Sequence, residues 1–357
     1  MRTSRKKVVL VEDSPVALEI LQQLLKSSPE VDLVGTARDG VEGLEVISRT
    51  QPDVVCTDLF MENMDGLELT QRVMAESPRP ILVISNFVGK KDVDNVFRLL
   101  QAGALDVFPK PATGSATDYA KVRDDLITKI KILASMKVDA NPQKLSAAVE
   151  SSISSSFLGT NPQVTNIASS VQVIAIGAST SSLQTIQKIL KQLPRNFSLP
   201  IICTLHLSGG SLPELVNWLS SECQLKVKIA EIGETPALRT VYFAPEKNHL
   251  ELDVQGKFTY VRATVTEKYC PSITVMFKSL AKHYGRTIAA VLLSGLGSDG
   301  AEGLQAISQA GGITIAQHET GGGLFGMVKQ ANSLNAVQHL LGIEEITPFL
   351  LQMISRA

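Results

Sequence analysis

Two sets of side chains in this 357-residue sequence have the types and the spacing to do chemistry. The first is built on carboxylates: Glu12-Asp13 follows one apolar run, Asp58 follows another, and Ser85 and Lys110 follow two more. Carboxylates gathered at one edge of a sheet repel one another unless a cation sits among them. An oxygen-only set with open positions suits Mg²⁺, which keeps several waters and binds through a few carboxylates. Such a site can take a phosphoryl group on one carboxylate, with Lys110 as a point charge for its oxygens and Ser85 as a short hydroxyl that moves to bond them. The competing reading is that strand-end acids cap the helices that follow, as Asp13-Ser14-Pro15 would with proline at the first helical position. Capping does not account for acid, hydroxyl and lysine recurring at four strand ends.

The second set is built on hydroxyls. Val171 to Ser182 reads VQVIAIGASTSS, a β-branched run that ends in Gly177-Ala178 and hands Ser179 to a turn. Gly-x-Ser-x-Ser is a near relative of the nucleophile elbow Gly-x-Ser-x-Gly, whose small neighbours expose the serine. Taken alone, the stretch reads as readily as Ser179 or Ser182 capping the helix Leu183 to Gln192. Further along, His206 follows the run ending in Leu205, and Asp299-Gly300 follows the run ending in Leu293. A hydroxyl needs a base to take its proton, and that base needs an acceptor to fix its tautomer, so serine, histidine and aspartate past strands of one sheet make an admissible triad. Glycines around Asp299 allow a tight loop with amides free for an oxyanion, and elbow logic adds the amide of Thr180. Of the other histidines, His249, His283, His318 and His339, His318 is the main rival because it too follows a strand. No His-x-x-x-His or clustered acid pattern suggests a metal hydrolase, so no cofactor is expected in this half.

These residues need strands to position them. Runs at Lys7 to Val11, Val31 to Ala37, Asp53 to Thr57, Pro80 to Ile84 and Asp106 to Phe108 alternate with amphipathic stretches such as Val16 to Lys26 and Val93 to Gln101. Lys121 to Met136 reads as a closing helix. The rhythm is that of an α/β fold with a parallel sheet. It resumes with Val173 to Ile176, Pro200 to Leu205, Lys226 to Ala230, Ile288 to Leu293 and Ile313 to Ala316. Thr240 to Ala244 and Phe258 to Val261, around the turn at Val254 to Lys257, read as a β-hairpin insertion. Ala331 to Ala357 reads as amphipathic helix packed back on the sheet. The length exceeds what one core usually holds, and a serine- and asparagine-rich stretch divides it. The expected domains are 1–136 and 171–357, with a flexible linker at 137–170 in which Ala147 to Phe157 could form a weak helix.

Charge and cysteine usage exclude several classes. With 34 basic and 35 acidic residues, net -1, nothing favours nucleic acid or an anionic membrane as partner. Four dispersed cysteines without a Cys-x-x-Cys pair, three of them in or beside apolar segments, read as reduced, mostly structural thiols of a cytoplasmic protein. The basic N-terminus runs into an apolar segment too short for a signal sequence or a membrane span.

Both halves resemble known families. Val-Leu-Val-Glu12-Asp13-Ser, Asp58-Leu-Phe-Met61-Glu-Asn-Met64-Asp65-Gly66, Ser85 and Lys110-Pro111 resemble the receiver domain of two-component response regulators. The resemblance implies a flavodoxin-like (βα)5 fold and Asp58 as phosphoacceptor. It also implies Mg²⁺ held by Glu12, Asp13, Asp58 and the carbonyl of Phe60, and Ser85 with Lys110 as the switch pair. Glu62 stands where that family usually has proline.

Gly177-Ala-Ser179-Thr180, His206, Ala244-Pro-x-x-x-His249-Leu-Glu-Leu252, Pro271-Ser272, Leu293-Ser-Gly-Leu-Gly-Ser-Asp299-Gly300 and Phe325-Gly-Met327 resemble the catalytic domain of the CheB chemotaxis methylesterases. That implies a doubly wound, mainly parallel α/β esterase domain with Ser179 as nucleophile, His206 as general base and acid, Asp299 as its orienting partner, and the amides of Thr180 and Leu296 as oxyanion donors. The implied reaction is hydrolysis of glutamyl γ-methyl esters on methyl-accepting chemoreceptors, often with deamidation of glutamines. A phosphoryl group from a chemotaxis histidine kinase would open the cleft that the receiver covers. The rim departs from the family at Ser181-Ser182, Leu207-Ser208, Cys270, Thr274 and Val328. An esterase or amidase acting on another protein, and a receiver-controlled binding protein without turnover, are the alternatives.

Overall fold

The computed structural model describes residues 5–85, 90–111, 116–135, 138, 171–207, 212–264, 267, 269–295, 297–318 and 326–353. The chain divides into two compact units, Met1–Leu158 and Gly159–Ala357. Apart from residue 138, the expected linker and its weak helix lie outside the described residues.

In the first unit, β1 (Lys6–Val11), β2 (Val31–Ala37), β3 (Val54–Thr57), β4 (Ile81–Ile84) and β5 (Asp106–Phe108) form one sheet in the order β2-β1-β3-β4-β5. Every pair in it is parallel. Helices α1 (Pro15–Lys26), α2 (Gly40–Thr50), α3 (Gly66–Glu76) and α4 (Lys90–Gln101) make the crossovers, and α5 (Ala116–Leu133) follows the last strand. β3 and β4 are buried throughout because helices cover both faces. A core of Val8, Leu10, Leu21, Leu25, Leu82, Leu126 and Ile130 closes one side. Helix α5 starts five residues before the expected Lys121, its polar first turn having masked the helical period.

The main sheet of the second unit has seven strands among the described residues: β6 (Val173–Ser179), β7 (Ile201–His206), β8 (Lys226–Ile229), β9 (Thr240–Phe243), β12 (Ile288–Leu292), β13 (Ile313–Gln317) and β14 (His339–Leu341). They lie in the order β14-β13-β12-β6-β7-β9-β8, all parallel. A short 3₁₀ turn (Thr180–Ser182) leads into α6 (Leu183–Gln192). Helices α7 (Leu212–Glu222), α8 (Ile273–Tyr284), α9 (Ala301–Gln309), α10 (Gly326–Ser333) and α11 (Ile343–Gln352) complete the layers.

Two expectations are corrected. The hairpin pairs β10 (Asn248–Leu252) with β11 (Phe258–Arg262), whereas Thr240–Phe243 is an inner strand of the main sheet between β7 and β8. Its four residues are buried on both faces, as an inner parallel strand requires. The C-terminal segment is not continuous helix: β14 interrupts it and extends the sheet edge, with His339 on a strand rather than on a helix face. No helix among the described residues is long and apolar enough to cross a membrane.

Candidate active site and phosphoacceptor cluster

In the first unit, β1 and β3 are neighbours, so the residues just past them, Glu12-Asp13 and Asp58, share one sheet edge. One carboxylate oxygen from each of the three lies within 4.8 Å of the others. Helix α1 is capped by the Ser14 hydroxyl, which accepts from the Ala17 amide at 3.4 Å, so Asp13 is not used as the cap. Lys110 reaches in from the far side, its Nζ 2.8 Å from Glu12 Oε1 and 2.7 Å from Asp58 Oδ2. Ser85 is buried at the end of β4, and Phe60 stands half exposed in the loop after Asp58.

Burial pushes the Glu12 and Asp58 carboxyls above their ordinary range, against the opposing pull of Lys110. For Lys110 burial alone would lower the ammonium, but its bonds to Asp58 and Glu12 win and raise it. One ammonium leaves the cluster short of positive charge. Glu12 Oε2 is buried with no hydrogen-bond partner among the described residues. An orphaned carboxylate oxygen facing two other acids is what a hard divalent cation would satisfy.

In the second unit the sheet itself makes the pairing. Ser179 and His206 end adjacent parallel strands and are register partners. Asp299 comes from the loop after β12, on the other side of β6, and its Oδ2 lies 2.8 Å from His206 Nε2. With Nε2 engaged by the acid, Nδ1 is the ring nitrogen left for a hydroxyl. The side chain of Thr180 donates to the His206 carbonyl at 2.7 Å, tying the 3₁₀ turn to the end of β7.

The carboxylate of Asp299 is held by the N-terminus of α8. Ser272 Oγ donates to Oδ1 at 2.9 Å, the Ile273 amide to Oδ2 at 2.6 Å, and the Thr274 amide to Oδ1 at 3.0 Å. Burial would raise this carboxyl, yet the hydrogen bond and charge of His206 and the bonds from Thr274 hold it well below the usual range. A buried anion at a helix N-terminus gains from the unpaired amides there. Gly177 permits the arrangement: a Cβ there would stand 2.3 Å from Ile273 Cγ2, so only glycine lets α8 settle this close to β6.

Ser179 and Ser182 stand at N-cap positions, but neither hydroxyl makes a capping hydrogen bond, so capping does not account for the Gly-x-Ser-x-Ser stretch. Ser179 Oγ instead lies 2.6 Å from Ser181 Oγ, and Ser182 Oγ donates to the Ser294 carbonyl. The Ser294 amide donates to Gln317 Oε1 at 3.1 Å, so side chains hold both backbone polar groups of Ser294, where the Asp299 loop opens. Gly295 sits against the hydroxyl, since a Cβ there would be 2.6 Å from Ser179 Oγ. Leu296 and Phe325 lie outside the described residues.

The rival histidines stand elsewhere. His318 follows β13, two strands from β6, and its backbone bonds β14. His283 packs edge-on against Tyr284, and His339 packs on Phe349 with burial lowering its imidazole. Tyr269 was not legible as a site residue: its ring stacks on His206 with centroids 5.0 Å apart and planes 10° apart. Gln317 was equally silent, and Ser272 stood in the resembling Pro271-Ser272 stretch and before an apolar helical run, with nothing to mark its contact with Asp299.

Comparison with known proteins agrees with both halves. The CheB methylesterase family matches residues 174–350, and the response regulator receiver domain matches residues 8–117. A protein-glutamate methylesterase/protein-glutamine glutaminase of Syntrophus aciditrophicus is 35% identical, covering 97% of this chain and 98% of its own. Another of that name from Methanospirillum hungatei is 34% identical over 98% and 99% of the two chains. The crystal structure of the Thermotoga maritima CheB methylesterase catalytic domain is 29% identical, covering 52% of this chain and all of that one, with a TM-score of 0.49. With this extent of identity along nearly its whole length, the chain belongs to the CheB methylesterase family, with a response regulator receiver domain preceding the esterase domain.

Proposed function

We propose that this protein is a cytoplasmic, phosphorylation-regulated protein-glutamate methylesterase that hydrolyses glutamyl γ-methyl esters on methyl-accepting chemoreceptors, with glutamine deamidation as the companion activity. The observation that carries the reading is the strand register of Ser179 with His206 and the 2.8 Å contact of His206 with Asp299. His206 Nδ1 takes the Ser179 proton as Oγ attacks the ester carbonyl, and Asp299 stabilises the imidazolium through Nε2. Collapse of the tetrahedral adduct expels methoxide, which takes the proton from His206 and leaves as methanol. Water, deprotonated by the same imidazole, then attacks the acyl-serine and releases the glutamate carboxylate and the free hydroxyl. The amides of Thr180 and Leu296 are the oxyanion donors in this reading.

Asp58 is the phosphoacceptor, with a chemotaxis histidine kinase as donor. Glu12, Asp13, Asp58 and the Phe60 carbonyl would hold Mg²⁺, which when bound neutralises charge on the incoming phosphoryl oxygens. Lys110 supplies the fixed positive charge beside Asp58, and Ser85 the hydroxyl that moves toward the phosphoryl group. The expected domains, 1–136 and 171–357, are then the switch and the enzyme, joined by the 137–170 segment.

The test is methanol release from methylated chemoreceptor membranes, with and without a small-molecule phosphodonor and Mg²⁺, beside Ser179→Ala. Stimulation of the wild type with a silent alanine variant supports both halves. Silence even from residues 171–357 alone would refute receptor demethylation.

A further inference from the structure

His249 lies in a motif that the triad does not use, and it is one of the most enclosed polar residues in the protein, at 1% exposure. A buried imidazole needs partners for both nitrogens. Nδ1 accepts the Ser272 amide at 3.0 Å, which fixes that nitrogen without a proton and puts the hydrogen on Nε2. Nε2 lies 3.3 Å from Glu267 Oε2 but lacks the alignment of a full hydrogen bond. Glu267 is anchored in turn by the Thr264 amide at 2.5 Å and the Thr264 hydroxyl at 3.0 Å, and these bonds, with the contact to His249, hold its carboxyl below the usual range.

The two partners of His249 bracket the residues that touch the catalytic pair. Between them lies Tyr269, stacked on the His206 ring. At the far end, Ser272 donates through its hydroxyl to Asp299 Oδ1 and through its amide to His249. The same serine therefore reads the second imidazole with its backbone and the catalytic carboxylate with its side chain. β10, which carries His249, is itself held to α8 by the Leu252 amide donating to Ser279 Oγ at 2.9 Å.

We infer that His249 is a positioning residue for the hydrolytic reaction: a neutral imidazole that pins Glu267 and Ser272, and through them sets Tyr269 against His206 and the α8 N-terminus against Asp299. It touches neither substrate nor the reacting atoms. Its effect runs through the orientation of the carboxylate and of the base, where a displacement of about 1 Å costs on the order of 100-fold in rate. The inference rests on the triad reading above, and the test separates the two.

His249→Leu removes both nitrogens, and His249→Asn keeps an acceptor at the Nδ1 position. Both are made in the full chain, activated by phosphodonor and Mg²⁺. Methanol release from methylated receptor membranes is measured beside the rate at which a serine-directed phosphonate labels Ser179, followed by mass. For His249→Leu, kcat and the labelling rate fall about 10- to 100-fold with KM within about threefold, and His249→Asn recovers most of the loss. In an Asp299→Ala background the leucine substitution costs less than in the wild type, because its route through α8 is already gone and only the route through Tyr269 to the His206 ring is left. If His249→Leu does not fold, His249→Gln, which keeps a donor toward Glu267 and loses the acceptor for Ser272, takes its place. The inference is overturned if the asparagine variant is as slow as the leucine variant, if only KM moves, or if the loss is undiminished in the Asp299→Ala background. A wild type that is labelled but makes no methanol refutes the receptor substrate while the labelling rates still decide on His249. A wild type that is not labelled refutes the triad and this inference with it.

Discussion

Gly177→Ala is the substitution that tests how the site is built, because it adds one methyl group at the seam between β6 and α8. That methyl would stand 2.3 Å from Ile273 Cγ2, 3.1 Å from Phe277 Cζ and 3.2 Å from Leu292 Cδ1. Ile273 is fully buried and β-branched, so its methyl cannot swing away cheaply. To reach ordinary carbon contact near ~3.5 Å, the gap at Ile273 must open by about 1.2 Å. The residue pushed is the one whose amide donates to Asp299 Oδ2 at 2.6 Å, so the displacement is delivered to the carboxylate that orients His206. Overpacking of this kind costs about 1–3 kcal/mol of stability. The misplaced carboxylate is expected to lower kcat on the order of 100-fold. Methanol release and thermal unfolding are measured on Gly177→Ala and on Gly177→Ala/Ile273→Ala, in which the opposing methyl is gone. The double variant should recover kcat toward wild type even though it stays less stable. A Gly177→Ala enzyme that melts early but turns over at the wild-type rate would show that α8 does not position Asp299, and the argument would fail.

Three further outcomes are expected. Ser181→Gly frees the Ser179 hydroxyl from a 2.6 Å partner that competes with His206; a net hydrogen bond of about 1 kcal/mol predicts phosphonate labelling roughly 3- to 10-fold faster, and slower labelling would contradict the competition. Because the Asp299 carboxyl is held below its unfolded value, it adds stability above pH ~3.9 that is lost as pH falls toward the folded pKa. Denaturant unfolding against pH should accordingly show a shallower acid limb for Asp299→Asn than for wild type, and identical limbs would exclude Asp299 as the source. Cys56 and Cys203 are fully enclosed, burial pushing the Cys56 thiol up to about 12, whereas Cys270 is exposed. Thiol titration of the native chain should give one fast group that Cys270→Ser abolishes and a slower one from half-buried Cys223, whose thiol burial pushes up to about 11; a fast group surviving Cys270→Ser/Cys223→Ser would mean the cores open readily.

What the sequence disclosed depended on how local the signal was. Each strand that ends in a chemical group was bounded by apolar period and turn residues, and β1, β2 and β5 lie within a residue of their expected limits. The hairpin was misassigned because Thr240–Phe243 and Phe258–Arg262 are near in sequence and both strand-like. What decided their partners was burial on both faces of Thr240–Phe243, a property of the assembled sheet. β14 is three residues long, too short to interrupt a helical period on the page. In the candidate site, serine, histidine and aspartate announce themselves by type. Tyr269, Ser272, Gln317 and His249 make their contacts with residues distant in sequence, and only packing reveals what a tyrosine or a glutamine is facing.

Because Ser179 and His206 are neighbours by strand register, the spacing of the proposed nucleophile and base is written into the hydrogen-bond ladder of the sheet. Loops can be exchanged around that pair without altering it, since a ladder shifts only by whole residues and any slip would turn side chains to the wrong face. Substitutions in the surrounding segments, at Ser181 or Thr274 for instance, therefore adjust the hydrogen bonds that reach Ser179 and Asp299 while the register of the pair stays as the sheet sets it. The fold separates spacing from tuning: the sheet locks the first, and the segments around it are free to vary the second.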